Sequence, residues 1–222
     1  MFRYILLLTL LLGLLLAGCT TLATLDGDAT AEMTETSGVD VPGPPALTVN
    51  HFAGTITVRT GEEGHITAKL TKQSRLPDRV EAEAQLDNMT MAFTQNGTDV
   101  TLNVDGPEGI IESVNSPSAE LELLVPPSTT LFLNLGAGEI TIEEPDGDVD
   151  VNLGAGEATA ILPADASFRL EVGGGAIGID SDFAGVPGGG VATAVDVTIG
   201  DNPTQTLSFN LGAGDINLQK AD

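Results

Sequence analysis

The fold of this chain is decided by a glycine-containing stretch, LNLGAGEITI, at residues 133–142. Apolar residues alternate with polar ones before the glycines, at Leu133 and Leu135, and again after them, at Ile140 and Ile142. Such alternation is typical of strands that bury one face. Glycines between the two runs predict a corner, because glycine adopts backbone angles that other residues avoid. The stretch therefore predicts one β-strand that turns a corner at its middle.

The same pattern recurs along the chain. Complete or degenerate copies occupy residues 49–58, 151–160, 170–179 and 209–218, and a strand-like run at 191–199 would fill the one gap in the series. A fixed short period indicates stacked units that bury their apolar residues against each other. We predict an all-β fold, a β-solenoid with about 18–19 residues per coil. The glycines assigned to its corners are Gly54, Gly136, Gly138, Gly154, Gly156, Gly173, Gly175, Gly212 and Gly214.

Strand signals also fill the segments between the repeats. Residues 89–93 and 99–104 alternate and are joined by Asn96-Gly97, a common hairpin turn. Residues 77–87 begin with a proline and predict a short helix, although they also alternate with the period of a strand. We assign residues 46–222 to a single β-solenoid domain.

The N-terminal residues have the pattern of a bacterial lipoprotein signal peptide. Arg3 precedes an apolar run at residues 5–17, which is too short to span a bilayer comfortably. The run leads into Leu16-Ala17-Gly18-Cys19, which resembles a lipobox, where the cysteine becomes the first, lipidated residue. We predict removal of residues 1–18 and acylation of Cys19. The alternative is an ordinary signal peptide with an incidental cysteine.

Between the cysteine and the predicted domain lies a segment of Thr, Ala, Asp, Glu, Gly and Pro, at residues 19–45. Its composition predicts a disordered acidic tether, which would hold the domain away from the membrane. Acyl chains contribute about 0.8 kcal/mol for each buried CH₂, so two or more would anchor the protein stably.

The chain is strongly acidic, with 32 Asp and Glu against 8 Lys and Arg, and its net charge is −24. Removal of Arg3 with the signal peptide gives −24 − 1 = −25. Such a surface repels nucleic acid and attracts cations, so we expect no nucleic-acid partner. Five of the bases lie within 21 residues: Arg59, Lys69, Lys72, Arg75 and Arg79. We expect them to pair with nearby acids such as Glu62, Glu63 and Asp78 rather than to bind an anionic ligand.

Glycine-rich stretches can also bind phosphate or calcium. Gly136-Ala137-Gly138 lacks both the third glycine of a dinucleotide fingerprint and the ending of a P-loop, and a strand follows it. Glu139, Glu157 and Asp215 recur in the repeat and are weak calcium candidates, although Ala176 would break their row. We therefore expect diffuse attraction of cations, and no cofactor or specific metal site.

A second recurring polar position holds asparagine, at Asn50, Asn134, Asn152 and Asn210. Stacked asparagines hydrogen-bond to one another in β structures, so we interpret this row as structural.

Motifs for catalysis are few. The sequence contains neither a G-x-S-x-G elbow nor an H-E-x-x-H helix, and both histidines, His51 and His65, fall in predicted strands. His51 replaces a leucine of the repeat, which favours a position at the edge of the core. We expect no enzymatic activity.

The order of these features resembles the bacterial putative-adhesin family, whose domain has no known function. The features are the first repeat at residues 49–58, the lysine-bearing strand, the hairpin, Val125-Pro126-Pro127 and the later glycine-led copies. The resemblance covers roughly residues 46–220. The glycine-led pairs are also similar to the toast-rack domains of envelope-stress proteins. The resemblance implies an all-β solenoid outside the cytoplasm and carries over no catalytic residues.

These features predict a lipoprotein anchored to the cell membrane, extracytoplasmic, with an adhesin-like or scaffolding role. Its partners would be the membrane, through the lipid anchor, and an envelope polysaccharide or a protein. One alternative is an envelope-stress or signalling component that binds a protein partner. A polysaccharide-active β-helix enzyme ranks last, because almost any β-helix with 32 acids would offer a carboxylate pair, and such pairs therefore do not indicate catalysis.

Overall fold

The chain folds around one long mixed β-sheet. The computed structural model describes residues 30–107, 117–188 and 191–221. Within these ranges the strands are β1 (Ala31–Asp40), β2 (Ala46–His51), β3 (Gly54–Thr60), β4 (His65–Ser74), β5 (Thr90–Asn96), β6 (Asp99–Asp105), β7 (Ser118–Val125), β8 (Thr130–Glu143), β9 (Val149–Leu162), β10 (Phe168–Ser181), β11 (Val191–Ile199) and β12 (Gln205–Lys220), and the helix is α1 (Arg79–Asp87). The predicted signal peptide and Cys19 lie outside the described residues.

The predicted helix is confirmed and the fold is predominantly β. Asp78 caps α1, because its Oδ1 accepts hydrogen bonds from the backbone N–H of Val80 and Glu81, at 2.9 and 3.0 Å. Ala82 and Leu86, four residues apart, are its buried residues. No helix in the described part of the chain is long and apolar enough to cross a membrane.

The repeats form the centre of the sheet. β8, β9, β12 and β10 lie side by side in that order, parallel and in register. Leu133 is thereby paired with Val151, Val151 with Phe209, and Phe209 with Val172. All four are buried, so each strand completes the apolar surface of the next.

Each of these strands bends back on itself at its glycines. β8 ends at Glu143 and β9 begins at Val149, beside Leu131. If β8 were straight, Leu131 and Glu143 would lie about 40 Å apart, at about 3.3 Å per residue. The chain from Glu143 back to Val149, which lies beside Leu131, can span at most about 21 Å. The strand closes this distance by turning at Gly136–Gly138, where the buried positions change from odd to even numbers.

Gly138 shows why the corner requires glycine. Its φ is +137°, an angle that L side chains rarely adopt. A Cβ at this position would also lie within 1.8 Å of the carbonyl oxygen of Gly54 on the neighbouring strand. Gly156 and Gly214 repeat both features in β9 and β12, so the three corners stack directly on one another.

The prediction for residues 191–199 is wrong in part. They form a strand, β11, but it pairs antiparallel with β10 at the edge of the sheet instead of filling a coil. After β11 the chain returns as β12 on the other side of β10, between β10 and β9. The stacking order therefore departs from the order of the sequence.

The assignment of Gly173 as a corner glycine is also wrong. β10 pairs Gly173 with Asn210, and a Cβ on Gly173 would meet nothing within 4 Å. Gly174 has the positive φ, +143°, and Gly175 packs on the carbonyl of Gly212. The copy at residues 170–179 was therefore matched to the other repeats two residues out of place. Alternation does not detect a displacement of two residues, because it leaves every side chain on the same face of the strand.

Part of the predicted tether is folded. β1 pairs with β4 along its whole length, from Ala31 opposite Ser74 to Asp40 opposite His65. It also supplies Glu35, whose carboxylate lies 3.1 Å from the buried ammonium of Lys72. The folded part therefore includes residues 31–45, contrary to the predicted boundary at residue 46, because β4 offers a free edge that an acidic strand can neutralise.

Candidate functional site

The asparagine row lies on the exposed face of parallel strands. In the register Asn50 is opposite Asn103 on one side and Asn134 on the other, followed by Asn152 and Asn210. Asn134 donates to Asn50 at 3.0 Å, Asn50 to Asn103 at 2.8 Å, and Asn210 to Asn152 at 3.3 Å. The row is therefore a hydrogen-bonded ladder in two parts.

The two parts meet between Asn134 and Asn152. Asn152 donates to the carboxylate of Asp150 at 3.0 Å, and within the described residues no hydrogen bond joins it to Asn134. Asn103 is the one member that the sequence analysis missed. It lies outside the glycine-led repeat, in β6, and the parallel pairing of β6 with β2 places it in the row.

A second exposed row runs beside the ladder, two residues earlier on each strand. Its members in spatial order are Thr101, Thr48, Phe132, Asp150, Ser208 and Glu171. We call the two rows together the polar face. Six parallel strands carry it, β6, β2, β8, β9, β12 and β10.

An open hollow of about 490 Å³ adjoins the ladder where the strands approach their glycine corners. Its lining includes Asn50, Asn134 and Asn152 of the ladder, the ring of Phe52 and the carboxylate of Asp105. Ligand pockets are typically roughly 300–1,000 Å³. The hollow therefore combines amide donors and acceptors, one aromatic ring and one acid in a space that suits a small ligand or part of a polymer.

His51 also lines this hollow, and it is only 4% exposed. Its ring meets that of Phe52 edge to face, with 5.3 Å between centroids, and Nε2 lies 3.4 Å from the carbonyl oxygen of Ala119. Burial lowers the pKa of His51 to about 4, a shift that the Ala119 carbonyl partly opposes. The imidazole is therefore neutral at pH 7. Nδ1 is buried and has no hydrogen-bond partner in the described part of the structure.

A second hollow, of about 260 Å³, lies around Phe132 at the other end of the polar face. Asp150, Glu171 and Ser208 of the second row line it, together with Thr206. Phe132 is 39% exposed, although a phenylalanine in a strand normally packs into the core. Each hollow is thus lined by one phenylalanine: the exposed Phe132 in the smaller hollow and the half-buried Phe52 in the larger one.

The structure brings the weak calcium candidates into one row. Glu139 is opposite Glu157, and Glu157 is opposite Asp215. Gly178, not Ala176, follows Asp215 in β10, for the same two-residue reason as at Gly173. Asn217 donates to Glu157 at 2.7 Å. In residues 30–107, 117–188 and 191–221, no group of three or more His, Cys, Asp or Glu side chains could hold one metal ion.

Four of the five clustered bases form ion pairs, as expected, but in the described residues none of them pairs with Glu62, Glu63 or Asp78. Four pairs fall in this region: Arg59–Glu143 at 2.9 Å, Lys69–Glu122 at 2.7 Å, Lys72–Glu35 at 3.1 Å and Arg79–Glu83 at 2.8 Å. The Glu143 carboxylate raises the pKa of Arg59 above its ordinary value. Strand pairing selects these partners, and Asp78, an expected partner, instead caps α1.

No protein-family model matches the chain, and no curated protein matches it. Among solved structures, a protein of Clostridium sporogenes described as a "putative cell adhesion protein" has a TM-score of 0.55 and 17% identity, over 85% of this chain and 99% of that one. A "putative adhesin" of Bacteroides fragilis matches with a TM-score of 0.25 and 11% identity, over 83% and 96% of the two chains. At 17% identity, the similarity to the Clostridium sporogenes protein shows a shared fold and nothing further. The TM-score of the Bacteroides fragilis protein is too low to support even a shared fold.

Proposed function

We propose that this protein is a lipid-anchored, extracytoplasmic binding protein with an adhesin-like or scaffolding role and no catalytic activity. We also propose that its bent, stacked strands are the coils of a β-solenoid, closed at its edge by β11. The parallel register and the stacked glycine corners support this description.

The observation that carries the binding role is the exposed polar face. Two rows of mostly polar side chains, one of them interrupted by Phe132, lie on six parallel strands, with a hollow near each end of the strands. An extended flat surface of this kind suits the binding of a polymer better than the enclosed chemistry of an active site. The polar face is rigid because each of its six strands is paired with a neighbour on both sides.

The chemistry of the titratable groups also favours binding over catalysis. His51 is neutral and buried, and His65 is held by Asp40 with 2.7 Å between Nδ1 and Oδ1. Arg169, beside the polar face, is held by Asp196 at 2.9 Å and Glu171 at 3.0 Å. These groups are therefore engaged in structural contacts, and the fold shared with the Clostridium sporogenes protein is compatible with adhesion.

The anchoring part of the proposal rests on the lipobox-like sequence at Cys19. Cys19→Ala in the full-length chain, expressed in a bacterial host, should move the protein from the membrane fraction to the soluble fraction and abolish incorporation of labelled palmitate. Thr20→Ala is the matched control and should leave both unchanged. Membrane partitioning that survives Cys19→Ala would contradict lipid anchoring.

The binding part is tested separately. Detergent-solubilised full-length protein should co-sediment saturably with isolated envelope material. Exposure at the cell surface should be detectable by protease accessibility in whole cells. Failure to co-sediment with envelope material of any composition would contradict the binding role without affecting the anchor.

A further inference from the structure

The hydrogen-bonding capacity of the asparagine ladder indicates what its ligand would be. Each asparagine amide has two N–H donors and one acceptor oxygen with two lone pairs. Where the ladder bond is made, it uses one donor of Asn134 and one lone pair of Asn50, at 3.0 Å. Asn50, which also donates to Asn103, keeps one donor and one lone pair, and Asn134 keeps one donor and its oxygen. The polar face therefore offers both donors and acceptors, on strands about 4.8 Å apart.

A ligand that uses both kinds of group at once must itself donate and accept. Hydroxyl groups do so, since each has one donor and two acceptor lone pairs. Sugar rings present several hydroxyls around their rim and an apolar C–H face, which packs on an aromatic ring. Phe52 and Phe132 supply such rings, one in each hollow.

The charge of the polar face excludes an anionic ligand. Asp105 lines the larger hollow, and Asp148, Asp150 and Glu171 line the smaller one. Arg169, which lies beside this face, is already paired with Asp196 and Glu171. An anionic polymer would be repelled by Asp105, Asp148 and Asp150, on a protein whose net charge is −24.

We propose that the polar face binds an uncharged glycan chain, with Phe52 and Phe132 as stacking platforms and Asn50, Asn134 and Asn152 as hydrogen-bonding groups. The ligand extends along the strands between the two hollows, because Phe132 and Asn134 lie two residues apart on the same face of β8. This inference rests on the binding role proposed above and names its ligand class.

The probes are neutral hexasaccharides built from glucose, mannose, galactose or N-acetylglucosamine, with uronic-acid hexasaccharides as the anionic comparison. Binding to the detergent-solubilised full-length protein is measured by titration calorimetry. At least one neutral hexasaccharide should bind, and the uronic-acid series should not. Asn134→Ala and Phe132→Ala should each weaken that binding by about tenfold, which corresponds to about 1.4 kcal/mol.

Two matched variants control for loss of structure. Leu124→Ala removes another exposed apolar side chain, 44% exposed and on β7, away from the polar face. Asn217→Ala removes another strand asparagine, which lies after the glycine corner of β12 and donates to Glu157 of β9. Both should bind like the unaltered protein, and thermal melting should confirm that all four variants fold.

Three outcomes would overturn the inference. These are absence of binding by every neutral hexasaccharide, binding of the uronic-acid series with equal affinity, and equal losses in the control variants. Retention of envelope co-sedimentation together with any of them would leave the proposed binding role standing and would redirect the ligand to an envelope protein or another surface.

Discussion

At the scale of single residues, His51 is the position where the stack departs most from its own pattern. The register places it beside Leu135, and the equivalent residues in β9 and β12 are Leu153 and Leu211. A leucine at this position buries only carbon, whereas the histidine buries a nitrogen that has no partner in the described structure. The histidine therefore costs stability, and its cost depends on pH.

We predict that stability falls on acidification because of His51. Its pKa is lowered in the folded state from 6.5 to about 4, so the unfolded chain binds more protons between these values. Stability should therefore be full above pH 6.5 and should decline as pH falls toward 4, by about 3 kcal/mol in total. The measurement is urea unfolding across this range.

His51→Leu isolates this contribution, since it restores the side chain found in the neighbouring coils. The variant should be more stable at every pH and should lose this part of the acid dependence, with the slope from carboxylates unchanged. His65→Gln, at the other histidine, should retain the His51 part of the slope. An identical pH profile for His51→Leu and the unaltered protein would refute the assignment.

At the scale of elements, the corner glycines decide whether a strand can bend and still stack. Gly138→Ala should lower the free energy of unfolding by about 3 kcal/mol, because the φ of +137° is strained and the Cβ collides with the Gly54 carbonyl. The expected drop in Tm is roughly 6–12 °C. Gly173→Ala is the control and should change stability by less than about 0.5 kcal/mol, since its Cβ meets no atom within 4 Å.

β1 is a paired strand in a segment whose composition predicted a disordered tether. A chain that starts at Ala46 should be markedly less stable than one that starts at Thr30, by about 3–5 kcal/mol, because Lys72, which is buried beside β1, loses the carboxylate of Glu35. The edge of β4 also loses its antiparallel partner. Guanidinium unfolding of the two truncated chains measures the difference. Equal midpoints would show that β1 is dispensable, as the tether prediction implied.

At the scale of the whole molecule, the acidic charge is the dominant electrostatic feature. With 32 acids and 8 bases, self-repulsion should be relieved by salt, so Tm should rise by roughly 2–4 °C from low to physiological ionic strength. Calcium and sodium chloride at equal ionic strength should give nearly equal shifts if cations bind diffusely. A further, saturable shift with calcium that EDTA reverses and Glu157→Gln abolishes would instead indicate a specific site in the row of acids.

Much of the local structure was predictable because it depends on neighbours in the sequence. Alternation predicted the strands of the repeats, Pro77 and the residues after it predicted the helix, and the glycines predicted the corners of β8, β9 and β12. The asparagine ladder was also predictable, because equivalent positions in a repeat fall into line once the units stack. Asn103 was missed because it lies outside the repeat, in a strand that joins the stack only by pairing.

The sequence by itself determined which face of each repeat is buried and where β8, β9 and β12 turn, because both follow from a local period and from the steric freedom of glycine. Only the tertiary structure decided the insertion of β12 between β9 and β10, the pairing of β1 with β4, and the two aromatic hollows. The physical reason is that alternation leaves a strand's partner undetermined. Once the whole chain has collapsed, a strand pairs with a neighbour whose edge is still free. Charges that are distant in the sequence, such as Glu35 and Lys72, also select the pairing.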